Sequence, residues 1–165
     1  MIEKCKIFYK GDKMAAMLYI FIGLGLLTTA ISLYLFNISA GFQYLSIGFF
    51  MFFIYTFGKG CLMYIVSNKR LNYFINMTDL GSQSVKEEIQ YSAYRINKKK
   101  TSRRIYIYTT VICSIIAFAG IFSPYKSIMM GTAIPIALIS GIEFSIGLLT
   151  EFRLKEYHRV LEKKR

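Results

Sequence analysis

Long uncharged stretches alternate with short charged ones along this chain. No charged residue occurs between Lys13 and Lys59, and none occurs in 105–125. A third apolar stretch covers 127–150 and is interrupted only by Glu143. A helix needs about 20 apolar residues to cross the hydrocarbon core of a membrane. The first stretch is therefore long enough for one span and most of a second.

The pattern predicts an all-α polytopic membrane protein, folded as a four-helix bundle of two helical hairpins. A polar interruption at 37–41 provides the turn between the first two spans. The four predicted spans cover about residues 14–36, 42–66, 105–123 and 128–150. We expect them to form a single membrane-embedded domain that includes the whole chain.

The polar segments, about 67–104 and 151–165, are expected to continue the membrane helices. Each is too short to bury a core of its own, because independent folding usually fails below about 40 residues. Apolar residues recur at helical spacing in the first segment, at Val85, Ile89, Ala93 and Ile96. No strong helix breaker occurs between Val85 and Phe122. The sequence therefore predicts one helix of about 55 Å there, well beyond the ~30 Å hydrocarbon core.

Charge fixes the expected orientation. The chain has 21 Lys and Arg against 9 Asp and Glu, a formal net charge of +12. Nearly all the basic residues precede the first span, separate the second from the third, or follow the fourth; the short turns between paired spans contain only Lys126. The positive-inside rule therefore predicts that both termini and the central segment are cytoplasmic. For a bacterial protein this is the inner membrane.

A polybasic group lies directly before the third span. Its members are Lys98, Lys99, Lys100, Arg103 and Arg104. Basic clusters beside a membrane helix attract anionic lipid headgroups, and they can also contact a protein partner. The high net charge is also compatible with nucleic-acid binding, and the sequence leaves direct binding of that kind open.

Two ionisable residues fall inside predicted spans. Lys59 follows Phe57-Gly58, and Glu143 follows Gly141-Ile142, at similar depth from the polar ends of their helices. An unpaired charge at this depth costs several kcal/mol, about 3 or more. Lys59 can snorkel to the interface. Glu143 has two alternatives, a pair with Lys59 or a place on a water-filled path, and the sequence does not choose between them.

Small residues recur on one face of the fourth span. Every fourth residue is small, at Ala133, Ala137, Gly141 and Ser145. Such a face allows another helix to approach closely. The neighbour is either a helix of the same chain or a second subunit.

The sequence offers few sites for catalysis. Cys5, Cys61 and Cys113 lack the spacing of metal ligands, and no phosphate-binding glycine loop occurs. We therefore expect no metal and no cofactor. The only histidine is His158, which follows Arg153 in an Arg-x4-His arrangement just after the fourth span.

This arrangement resembles the Arg-x(4–6)-His motif of the HEPN superfamily, whose domains are four-helix bundles and often ribonucleases. The resemblance implies that Arg153 stabilises a phosphate and His158 acts as acid or base, with two subunits completing the site. Leu154 stands where active members commonly have a polar residue. A catalytic role and a structural role for Arg153 and His158 therefore both stay open.

The layout as a whole, a small basic membrane protein that ends in a divergent HEPN-like motif, resembles the accessory proteins of type VI-B CRISPR loci. This resemblance implies a homo-oligomeric pore in the inner membrane. Such a pore enhances antiphage defence by an RNA-guided, RNA-targeting effector through membrane depolarisation. Two alternatives remain: a membrane-anchored HEPN-like ribonuclease, and a regulatory membrane adaptor without channel activity.

Overall fold

The computed structural model describes residues 2–36, 39–76 and 82–163. It consists of four long helices: α1 (Ile2–Leu35), α2 (Ala40–Asn76), α3 (Ser82–Gly120) and α4 (Lys126–Glu162). No strand occurs in these ranges. The predicted all-α class is confirmed, and so is the prediction that the polar segments continue the apolar helices.

The helices form two hairpins that join through α2 and α4. α1 packs along α2, α3 packs along α4, and the α2–α4 contact connects the two pairs. Within the described ranges the backbone of α3 approaches only α4 closely. The helices therefore stand in an open arrangement in which α3 is peripheral. The two predicted hairpins are confirmed.

We call the two ends of the bundle the apolar end and the polar end. The apolar end comprises residues 14–36, 39–66, 105–125 and 126–150, and the polar end comprises the other described residues. Helices α1, α2 and α4 are each long and apolar enough to cross a membrane. The apolar part of α3 ends with the helix at Gly120 and is about 24 Å long, shorter than the ~30 Å hydrocarbon core. The third predicted span, 105–123, therefore stays a prediction.

Large apolar side chains face outward on all four helices of the apolar end. Exposed examples, one per helix, are Phe21, Met51, Ile115 and Leu149. Contiguous apolar surface of this kind is rare on water-soluble monomers. Such a surface agrees with helices that can span a membrane.

Glycines permit the closest helix approaches at the apolar end. A Cβ added to Gly48 of α2 would lie 2.8 Å from Cγ of Pro135 in α4, and one added to Gly131 would lie 2.5 Å from Cβ of Tyr44. A Cβ at Gly60 would lie 3.1 Å from the carbonyl oxygen of Ala16 in α1. These positions hold the helices at short distance.

Gly48→Ala is expected to destabilise the bundle by about 1–3 kcal/mol, because the rigid ring of Pro135 cannot move aside. The matched control is Gly58→Ala in the same helix, where no atom lies within 4 Å of the added Cβ. The control should be neutral or stabilising by up to about 1 kcal/mol, since alanine has the higher helix propensity. Thermal unfolding of both variants in one detergent tests this. Equal melting temperatures for the two would refute the close contact.

The polar end has its own apolar core. Its buried members, contributed by α1, α2 and α4, are Cys5, Phe8, Tyr9, Phe74, Leu154, Tyr157 and Leu161. The rings of Phe8 and Tyr157 stack with centroids 4.1 Å apart. Of the apolar stripe predicted on α3, Ile89 and Ile96 pack against this core, whereas Ala93 is exposed. The fully buried residues of α3 in this region are instead Glu88 and Ser92.

Candidate functional site

Three helices contribute to a charged cluster inside the apolar end. The ammonium of Lys59 from α2 pairs with the carboxylate of Glu143 from α4. The hydroxyl of Tyr19 from α1 donates to Oε2 of Glu143 at 2.8 Å. The structure thus brings together the two ionisable residues that the sequence placed at similar depth, and it adds Tyr19, which sequence reasoning missed.

Burial makes this cluster depend on its partners. The Glu143 side chain is only 3% exposed, whereas that of Lys59 is 26% exposed. The Lys59 ammonium also lies 4.5 Å from the ring centroid of Tyr19. A buried carboxylate needs both a counter-ion and hydrogen bonds to offset its desolvation. Tyr19 and Lys59 supply these, so the pairing alternative for Glu143 is the one realised within the chain.

A cavity of about 360 Å³ reaches this cluster from the polar end. Helices α2, α3 and α4 line it, with contributions from Tyr55, Lys59, Met63, Tyr91, Tyr94, Arg95, Lys98, Lys99, Ser102, Arg103, Tyr106, Glu143, Phe144, Gly147 and Thr150. It exists because α3 packs on α4 and leaves a groove toward α2. Lys59 and Glu143 lie at its deep end, about 10 Å from the predicted limits of their spans. Glu143 is therefore both paired and part of the wall of a cavity that charged and aromatic side chains line.

Ion pairs fix the outer part of the cavity. Arg95 of α3 donates to Asp12 of α1 at 2.8 Å. Arg103 of α3 donates to Glu151 of α4 at 3.1 Å, and Lys155 pairs with the same carboxylate at 2.7 Å. Asp12 and Glu151 are both buried. The Arg95–Asp12 pair connects α3 to α1, and the Arg103–Glu151 pair connects α3 to α4.

The predicted polybasic group divides into two faces. Lys99 and Arg103 turn toward α4, where the Lys99 ammonium donates to Oγ1 of Thr150 at 2.9 Å. Burial lowers the pKa of Lys99, and the neighbouring cations Lys59 and Arg95 lower it further. The remaining members, Lys98, Lys100 and Arg104, are exposed, and of these three Lys98 also lines the cavity. Only the exposed members have side chains free to meet a flat lipid surface or a partner.

Arg153 and His158 point toward different helices. The guanidinium of Arg153 donates to the carbonyl oxygen of Phe8 in α1 at 3.0 Å. Nδ1 of His158 is 2.7 Å from the hydroxyl of Ser92 in α3. Residues five apart on a helix diverge by about 140°. Within one chain the HEPN-like pair does not converge on one cavity, so any shared site would need a second subunit.

A Ser-His-Glu arrangement surrounds His158, since Nε2 lies 3.3 Å from Glu162. A nucleophilic serine must be reachable by substrate. Ser92 is 1% exposed, and its hydroxyl also donates to the carbonyl oxygen of Ile89 at 2.9 Å. The geometry therefore indicates a structural contact between α3 and α4 and not a hydrolase triad.

The small residues that recur along α4 become less buried toward the C-terminal part of the helix. Ala133 is buried, Ala137 and Gly141 are half-buried, and Ser145 is exposed. A Cβ added to Gly141 would meet no atom within 4 Å. Within the chain, the buried part of this face is therefore its first part. The closest helix contacts, which leave no room for a Cβ atom, are instead at Gly48, Gly60 and Gly131.

Another buried acid, Glu88, was missed by sequence reasoning. Its Oε1 accepts hydrogen bonds from the hydroxyls of Tyr9 and of Tyr157, the latter at 3.1 Å. Arg70 donates to Oε2 at 3.0 Å. All four helices thus meet at one carboxylate. The sequence did contain one sign of its burial. Glu88 follows Val85 by three residues, which places both on the same face of the helix.

Comparisons with known proteins add no relative. The chain matches no protein-family model, no curated protein sequence and no solved structure. The function must therefore be argued from the residues and the geometry described above.

Proposed function

We propose that this chain is a subunit of a homo-oligomeric pore in the bacterial inner membrane. The pore would enhance antiphage defence by an RNA-guided, RNA-targeting CRISPR effector through membrane depolarisation. The observation that carries the pore is a cavity with six charged side chains in its lining, which reaches Glu143 between helices otherwise covered by apolar side chains. The link to defence rests on the resemblance of the layout and of Arg153–His158.

An oligomer is needed because one chain does not enclose a path. Among the described residues, those that line the cavity reach no further from the polar end than Tyr55 on α2 and Glu143 on α4. Copies arranged around an axis turn a lateral groove into a central one. The exposed apolar side chains of α1–α4 provide surface for such contacts. In this arrangement the polar end faces the cytoplasm, in line with its basic residues.

Subunit number is the first test. Mass photometry or native mass spectrometry in nanodiscs should give one closed oligomer larger than a dimer. A monomer would refute the pore and favour the adaptor. A dimer would favour a paired Arg153/His158 ribonuclease, which RNA cleavage sensitive to His158→Ala would then establish.

Glu143→Gln should shift ion selectivity if the pore passes this residue. Glutamine keeps a hydrogen-bond acceptor for Tyr19 but leaves the charge of Lys59 uncompensated. The permeability to anions relative to cations should therefore be higher than in the wild type. The measurement is the reversal potential in planar bilayers under a KCl gradient. Glu87→Gln, an exposed acid on α3, is the matched control. A reversal potential unchanged by Glu143→Gln would exclude this path.

Defence itself is tested in cells. Phage plating should fall when the chain accompanies the RNA-guided effector, and a membrane-potential dye should report depolarisation only with the effector active. Reduced phage plating without depolarisation would refute the pore and favour the regulatory adaptor.

A further inference from the structure

The outer part of the cavity between α2, α3 and α4 has an excess of positive charge. Five of its lining side chains are cationic, and one, Glu143, is a carboxylate. Lys59 pairs with Glu143, while Arg95 and Arg103 pair with carboxylates behind the cavity wall. Among the residues that the structure describes, Lys98 and Lys99 form no ion pair.

Lys99 is held where its charge is poorly compensated. Its ammonium donates to the neutral hydroxyl of Thr150. Burial and the nearby cations Lys59 and Arg95 lower its pKa. An anion beside Lys99 and Lys98 would relieve this repulsion and supply acceptors for both ammonium groups.

The shape of the cavity favours a headgroup with a chain attached. Its volume, about 360 Å³, lies at the small end of the range for ligand sites, about 300–1,000 Å³. Its deep end is lined by Tyr55, Tyr106 and Phe144, and a Cβ added to Gly147 would meet no atom within 4 Å. Since the backbones of α2 and α3 do not pack together, an alkyl chain can leave between them.

We propose that this cavity is a binding site for the phosphate headgroup of an anionic phospholipid, with Lys98 and Lys99 as its principal ligands. The acyl chains would lie in the groove between α2 and α3, along Phe144 and Gly147. The cavity spans the predicted boundary of the membrane, where headgroups lie. The proposal requires that the chain sit in a bilayer, but it does not depend on conductance or on subunit number.

Lipid binding is measured by native mass spectrometry of the full chain titrated with phosphatidylglycerol or phosphatidylcholine. Phosphatidylglycerol should bind at least about tenfold more tightly, as basic pockets between membrane helices predict. Lys98→Gln with Lys99→Gln should remove most of this preference. The matched control is Lys100→Gln with Arg104→Gln, which removes the same charge from exposed positions of the same helix outside the cavity.

The outcomes separate the alternatives. Equal losses in the two double variants would show diffuse attraction to a basic surface and would overturn the site. Equal affinity for the two lipids would overturn it too. Displacement of the lipid by millimolar inorganic phosphate would identify free phosphate, and not lipid, as the ligand source.

A variant that keeps every charge guards against misfolding of the lysine variants. Gly147→Leu should fill the groove and weaken phosphatidylglycerol binding about as strongly as the lysine changes. Gly58→Leu, at an equally open position outside the cavity, should not. Unchanged binding by Gly147→Leu would exclude the groove as the place of the lipid.

Discussion

Glu143→Leu is expected to lower the free energy of unfolding by about 3–5 kcal/mol, because it leaves the charge of Lys59 without a partner inside the apolar end. The hydroxyl of Tyr19 loses its acceptor in the same change. Lys59 is 26% exposed, and it can recover part of the loss by extending toward water. Unfolding of the purified protein in one detergent, followed by helical circular dichroism, measures the effect.

A double-mutant cycle isolates the pair. Lys59→Met alone should lower the free energy of unfolding at least as much, because it leaves the Glu143 carboxylate, which is 3% exposed, without its counter-ion. Lys59→Met combined with Glu143→Leu should be far milder than the sum, because apolar replacement of a buried pair is often neutral. Glu156→Leu, which removes an exposed acid from the same helix, is the control. Additive losses would show that the two residues do not interact.

Glu88→Ala is expected to cost about 3–5 kcal/mol at the polar end, because it removes a buried carboxylate that is paired with a cation. The change leaves Arg70 without its counter-ion and the hydroxyls of Tyr9 and Tyr157 without their common acceptor. One carboxylate joins all four helices here, so the unfolding transition should also become less cooperative.

The neighbouring acid provides the control for Glu88. Glu87→Ala removes an exposed carboxylate one residue away, and surface changes of this kind usually alter stability by less than about 0.5 kcal/mol. Chemical denaturation of both variants in one detergent gives the comparison. If the two lose the same stability, Glu88 is not the connection between the helices that its contacts indicate.

The two buried acids also frame the proposed function. Glu143 fixes the deep end of the cavity, and Glu88 fixes the helices at the polar end from which the cavity opens. A pore variant is informative only if its assembly is intact. Glu143→Gln, which preserves shape and an acceptor, is therefore preferable to Glu143→Leu for conductance.

The charge pattern predicted the helices well. Long uncharged stretches with basic flanks leave few folds, because backbone polar groups in lipid must be satisfied within the segment. The continuous helix that carries the apolar stretch 105–125 followed from a helical period and from the absence of proline between Val85 and Phe122, where the one glycine is Gly120 near the end. The similar depth of Lys59 and Glu143 followed from counting residues back from the polar ends of α2 and α4, which run in the same direction.

The position of the small-residue face was less informative. Small size permits close approach but does not direct it. The tight contacts are at Gly48, Gly60 and Gly131, which the four-residue repeat in the fourth span does not include. Likewise, only their spacing in the sequence suggested that Arg153 and His158 act together. A separation of five residues places them about 140° apart around the helix, toward α1 and α3 respectively.

The sequence by itself determined the helical class, the two hairpins and the presence of charges inside apolar helices, because these depend on local composition and period. Only the tertiary structure decided which charges meet. The Lys59–Glu143–Tyr19 cluster and the four-helix contact at Glu88 join residues from 18 to 124 positions apart. Such partners depend on the rotation of each helix about its axis, which packing against neighbours fixes and a hydrophobic pattern only approximates.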